Sequence, residues 1–210
     1  MNDVILISDE CDRILAEIKG ISQNASLTQI QELLISIKLN LYNTPLHEID
    51  FLNPFEKLIT NEQTTDTITS LALSSINTFI SYSLLKAEDI NQLCDTIKHC
   101  QFQSTSDYDC LAVTYQILTC INLLCRTNLL NSESLSRMLD YLLTEIRNCD
   151  VNISPNLIDS LSTVSVYIFS RNINSNFLQE NLLRNLYLLT QSESHFRQCA
   201  IMVLLHISRT

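Results

Sequence analysis

Three features of the chain point to an all-α fold, arranged as an armadillo/HEAT-like α-solenoid of about ten helices. The first is residues 64–85, TTDTITSLALSSINTFISYSLL, in which Ile68, Ala72, Ser75, Phe79 and Ser83 share one face and Leu73, Ile80 and Leu84 a second. Those spacings fit a 3.6-residue period and no strand. A helix apolar on two faces has to be covered on both, and its small residues Ala72, Ser74, Ser75 and Ser81 let neighbours approach closely, so it belongs at the centre of a layered helical domain. The second is a succession of helix start and stop signals that agrees with the apolar stripes. The third is spacing: helices beginning near residues 66, 106 and 154 alternate with partners near 87, 131 and 175, roughly 40 to 48 residues from pair to pair, as in armadillo and HEAT units. The units share no residue pattern, so the repeat is architectural, and a compact irregular bundle is the alternative arrangement.

The first helix, residues 3–19, buries Ile7, Cys11, Ile14, Leu15 and Ile18 and stops at Gly20, the one glycine in the sequence, where a positive φ suits the C′ position. A second, about 27–42, carries Ile30, Leu33, Leu34, Ile37 and Leu41 until Asn43-Thr44-Pro45 breaks it. A short third, about 50–60, tolerates Pro54 in its first turn. Thr65 or Asp66 caps the central helix. Glu88 and Asp89 open the next at its positive end, and Lys98 and His99 close it. After a polar break at 104–109, a helix to about residue 125 turns Leu111, Leu118, Ile121 and Cys125 inward. Asn131 or Ser132 caps the following one, with Leu135, Leu139, Leu142 and Ile146 inside. Ser154-Pro155 is a capping serine followed by proline at N1, ahead of the stripe Leu157, Leu161, Val164 and Ile168. After a loop at 172–176, two last helices, 177–190 and 194–208, supply Leu182, Leu186 and Leu189, then Cys199, Val203 and Ile207.

A chain of 210 residues, 46% hydrophobic and 17% charged, buries a full core, and residues 1–210 are expected to form a single helical domain. Thirteen basic residues against 23 acidic ones give a net charge of -10, and the basic residues are scattered singly. Phosphate-backbone binding therefore lacks its main energy source, so no nucleic-acid partner is expected, and a membrane is expected to be reached only indirectly, through a partner. The N-terminal residues lack a positive n-region, and Asp9, Glu10 and Asp12 interrupt the apolar run, which leads us to expect a cytoplasmic chain without a signal peptide.

The eight cysteines form no C-x-x-C pair and no zinc-spaced set, and most sit on apolar helix stripes as small core residues, so no metal is expected. One glycine is too few for a P-loop, a dinucleotide fingerprint or a nucleophile elbow. His99 beside Cys100 reads as a helix-end cation next to a core thiol, and the acidic pairs Glu88/Asp89 and Asp107/Asp109 read as caps. The expectation is a protein that is not an enzyme and has no catalytic residues and no cofactor. A cysteine or histidine enzyme would need Cys100 or Cys110 to react far faster than the other thiols.

Three blocks resemble the N-terminal dimerisation and cyclophilin-binding (DCB) domain of large Arf guanine-nucleotide-exchange factors, of the Golgi GBF/Gea/GNOM type. In the first, Asn53-Pro54-Phe55 and residues 68–82, ITSLALSSINTFISY, are similar to the family's Pro-Phe and its Ile-Thr-x-x-Ala-Leu-x-Ser helix. The second is residues 96–118, with His99, Phe102, Ile117 and Leu118 in the family's spacing without a gap. The third, weaker block is residues 131–143 together with Leu188-Leu189, Ser192 and His195. The family commonly has Gly-Pro at Asp66-Thr67, glycine at Ser70 and Ser104, arginine at Gln101, a lysine tied to self-association at Thr78 and its acidic counterpart near Leu111. On these departures the chain resembles a divergent member.

The resemblance implies a non-catalytic regulatory and self-association domain of a large Arf exchange factor acting in Golgi vesicle trafficking, peripheral at Golgi membranes. Its implied partners are a second copy in a homodimer, the downstream homology domain of the same exchange factor, small GTPases and cyclophilin. The exchange domain lies outside these residues. Asn77 and Thr78 form a polar pair off the apolar stripe, beside Tyr82, where the family places contact residues; with His99 and Gln101 they make up the candidate interaction surface. The alternative is a stand-alone helical-repeat adaptor that binds a cytosolic partner.

Overall fold

The computed structural model describes residues 3–19, 25–103, 107–127, 129–148, 154–170, 176–191 and 194–208. Among them the class is all-α: α1 (Asp3–Ile18), α2 (Ala25–Asn40), a 3-10 turn (Leu46–Glu48), α3 (Asn53–Ile59), α4 (Asp66–Ser81), α5 (Ala87–Lys98), α6 (Asp107–Leu124), α7 (Ser132–Asn148), α8 (Ser154–Ser170), α9 (Asn176–Thr190) and α10 (Ser194–Ile207). The one β feature is an isolated parallel bridge between Thr65 and Gln103. None of the described helices is long and apolar enough to cross a membrane. The expectations for Gly20, for the breaks at 104–106 and 172–175, and for the side chains of Cys110, Ile146, Cys149, Leu189, His195 and Cys199 lie outside the described residues.

The chain divides into two compact units, Met1–Asp89 with His99–Cys120, and Ile90–Lys98 with Ile121–Thr210. In the first, α4 packs on α1 and α3, and α2 packs on the same two helices. Both apolar faces of α4 are covered as expected: Ile68, Ala72 and Phe79 on one, Leu73 and Ile80 on the other, all buried. The rings of Phe51 and Phe55 meet Phe79 edge-on, with centroids 5.3 and 5.2 Å away. Edge-to-face geometry sets a positive ring edge against a negative ring face, so this trio stabilises the core beyond its buried area.

The start of α4 is fixed by Thr65, whose side chain accepts a hydrogen bond from the Ile68 amide, as a capping threonine should. Beneath it, buried Thr64 Oγ1 lies 3.0 Å from Thr69 Oγ1 and donates to the Asn61 carbonyl. The segment after α5 returns to this end: the amide of Gln101 donates to Ile59 O at 2.9 Å, that of Gln103 to Thr64 O at 2.7 Å, and that of Asp66 back to Gln103 O at 3.3 Å.

The end of α4 corrects the expected helix over 64–85. Ser83 adopts φ 58, a left-handed conformation. Its amide donates to Ile80 O at 2.9 Å and that of Leu84 to Phe79 O at 3.0 Å, the paired bonds of a Schellman C-cap. Ser83 and Leu84 therefore leave the two stripes, and Ser83 is exposed. Glycine is the usual residue at such a position, so the stop had no signal in the sequence.

In the second unit α7 packs on α8, and α10 on α8 and α9. Leu135, Leu139 and Leu142 meet Leu157, Leu161, Val164 and Ile168 as a buried core, with Leu182, Leu186 and Val203 also buried. Asn131 caps α7, its Oδ1 accepting from the Ser134 amide at 2.8 Å. The stretch Ile90–Lys98 is pinned to α7 by Arg137, which reaches Asp95 at 2.7 Å, Glu133 at 2.8 Å and the Asn91 carbonyl at 3.1 Å, and by a hydrogen bond from Ser134 Oγ to Asn91 Oδ1.

Candidate interaction surface

The less buried edge of α4 presents exposed Thr67 and half-buried Ser70, Leu71 and Ser74, three and four residues apart and so stacked along one side of the helix. Together with Asp66, with Arg13 from α1, and with Ala112 and Gln116 from α6, they line a cleft of about 330 Å³. Its walls are held by polar contacts. Glu10, buried under Arg13, accepts a hydrogen bond from Ser75 Oγ at 2.7 Å and an ion pair from Arg13 at 3.2 Å, which ties α1 to α4. Removing either donor would leave a carboxylate buried with too few partners. Asp66 turns Oδ1 onto the Thr67 amide at 2.7 Å. The cleft is thus lined by the hydroxyls of Thr67, Ser70 and Ser74, the Asp66 carboxylate, the Gln116 amide and the Arg13 guanidinium, alongside apolar Leu71 and Ala112.

Asn77 bonds to Gln116, one of the residues that line the cleft. Its Nδ2 donates to Gln116 Oε1 at 2.9 Å and to the Gln116 carbonyl at 3.1 Å, joining α4 to α6. With 7% of its surface exposed, Asn77 is a contact within the chain rather than part of an outer surface, which corrects the expectation drawn from its place off the apolar stripe. Its Oδ1 is buried and has no hydrogen-bond partner. Thr78 is half-buried and returns its hydroxyl to Ser74 O at 3.1 Å. Tyr82, the C-cap residue, is half exposed.

His99 and Gln101 are both exposed, but the Gln101 backbone is bonded to Ile59, at the end where α4 begins. A 16-residue helix rises roughly 24 Å, so Gln101 and Tyr82 stand near opposite ends of α4. The five candidate residues thus form no single patch: Thr78 and Tyr82 mark one end, Gln101 with nearby His99 the other, and Asn77 lies inside.

Desolvation on burial pushes the thiols of Cys11, Cys94 and Cys125 up to about 12, which keeps them protonated and inert as core residues. Cys120 is buried as well, and Cys100 is partly exposed.

An exposed apolar row on α2 escaped the sequence reading. Ile35 and Leu39, four residues apart on one side of α2, are 49% and 67% exposed, and Tyr42, in the turn two residues past its end, is 71% exposed. The signal was present, since residues 33–42, LLISIKLNLY, are apolar on every side of a helix that has only one side to bury. No model of a known protein family matches the chain.

Proposed function

We propose that this chain is a non-catalytic binding and self-association module, of the kind found as the DCB domain of large Golgi Arf exchange factors, and that it regulates such a factor by docking on its downstream homology domain. One observation carries the reading. The most specific block of the resemblance, Asn53-Pro54-Phe55 with residues 68–82, coincides with α3 and α4, and its two halves meet at the Phe55–Phe79 ring contact. Residues that belong together in the resemblance thus share one core.

In this reading the ten helices stack as an armadillo/HEAT-like solenoid, Tyr82 and Thr78 contribute to a docking edge, and second copies, small GTPases and cyclophilin are the further partners. The protein works at Golgi membranes through those partners rather than by binding lipid itself. The coding sequence downstream of residue 210 tests the parentage: an exchange domain encoded a few hundred residues on supports it, whereas its absence favours the stand-alone helical-repeat adaptor.

A further inference from the structure

Net charge -10 sets most faces of this molecule against a second copy of itself, and the outer row of α2 is an exception. Thr28, Glu32, Ile35 and Leu39 follow one another along it and Tyr42 stands in the turn just past its end, all exposed, with Glu32 the only charged one among them.

We propose that this face is a self-association surface, in which α2 packs antiparallel on α2 of a second copy about a twofold axis at the level of Ile37. The inference deepens the self-association part of the proposed function and gives it a location. Its argument is self-complementarity. Positions equidistant from residue 37 face each other in such a pair, so Ile35 of each copy meets Leu39 of the other, and the Tyr42 hydroxyl reaches the other copy's Glu32 carboxylate. The one charge in the row thereby gains a hydrogen-bond donor. The two Glu32 residues stand about 15 Å apart at 1.5 Å rise per residue, beyond the ~8 to 10 Å over which salt leaves charges in contact.

Area sets the strength. Aromatic side chains bury roughly 150 to 250 Å² each when fully covered; with the low end taken for Ile35 and Leu39, their exposures and that of Tyr42 leave on the order of 300 Å² of surface per copy. That is less than half of the ~800 Å² per partner in a standard stable interface. The dimer is therefore weak and dissociates on dilution.

Sedimentation velocity on the full chain from ~10 to 300 µM tests this, with Leu39→Glu as the disrupting variant and Tyr187→Glu, at an exposed position of α9, as the control. The expected result is a reversible monomer–dimer equilibrium whose dissociation constant rises by roughly tenfold or more in Leu39→Glu and is unmoved in Tyr187→Glu. A dimer indifferent to Leu39→Glu overturns the location while leaving self-association intact. A wild-type chain that stays monomeric throughout overturns the inference and the self-association part of the proposed function, but not docking on the downstream homology domain. Should Leu39→Glu fail to fold, hydrogen exchange on the wild type decides: protection over residues 32–42 that grows with concentration supports the surface, and protection confined to other segments overturns it.

Discussion

Replacing Phe79 by alanine removes the side chain on which the first unit's core converges. Phe79 is fully buried, and the rings of Phe51 and Phe55 both sit edge-on against it. Truncating a buried phenylalanine costs about 3 to 5 kcal/mol. Two edge-to-face contacts, each worth about 0.5 to 1.5 kcal/mol beyond area, place this site toward the upper end. At this chain length each kcal/mol lowers Tm by about 2 to 4 °C, so a drop of roughly 6 to 20 °C is expected. Because the chain has two compact units, the informative assay follows the first: native-state hydrogen exchange of the α4 amides, alongside thermal melting by circular dichroism. A loss below about 1 kcal/mol in α4 protection would refute the claim that both faces of this helix are core.

Asn77→Ala should destabilise by about 1 kcal/mol, since the hydrogen bonds to Gln116 are lost while an unpartnered buried carbonyl is also removed; Thr78→Ala should stay within about 0.5 kcal/mol, and urea melts compare the two. Ser83→Gly should stabilise by about 1 kcal/mol by relieving a left-handed serine, and a melting point that falls contradicts the C-cap assignment. Burial raises the Glu145 carboxyl above its ordinary value, so the folded state holds its proton more tightly than the unfolded chain; stability from this group is present below the unfolded value and lost as pH rises through the folded one. Glu145→Gln should therefore raise Tm near pH 7, with the gain shrinking as pH falls toward the ordinary carboxylate range.

How much of this could be read from the sequence depended on whether a position answers to local chemistry or to a distant contact. Ile68, Ala72, Leu73, Phe79 and Ile80 were legible because a helix apolar on two faces has few places to go. Thr65 and Asn131 were legible because a cap depends on residues within one turn. The end of α4 was not, since Ser83 adopts a conformation its residue type does not announce. Asn77 looked like surface by residue type and by its position off the stripe, but α6 covers it with Gln116, 39 residues away. On α2 the pattern showed too many apolar residues for one face, and only packing on α1 and α3 decided that Ile30, Leu34 and Ile37 go inside while Ile35 and Leu39 stay out.

The function proposed for this chain is docking on the rest of a larger exchange factor. Its most direct test is isothermal titration calorimetry between the purified chain and the downstream homology domain encoded by the same gene. The account predicts a saturable complex with a dissociation constant in the micromolar range or tighter, weakened by Tyr82→Glu, which leaves the melting point unchanged. No heat of binding at ~100 µM of each partner, or no such domain encoded downstream, contradicts it.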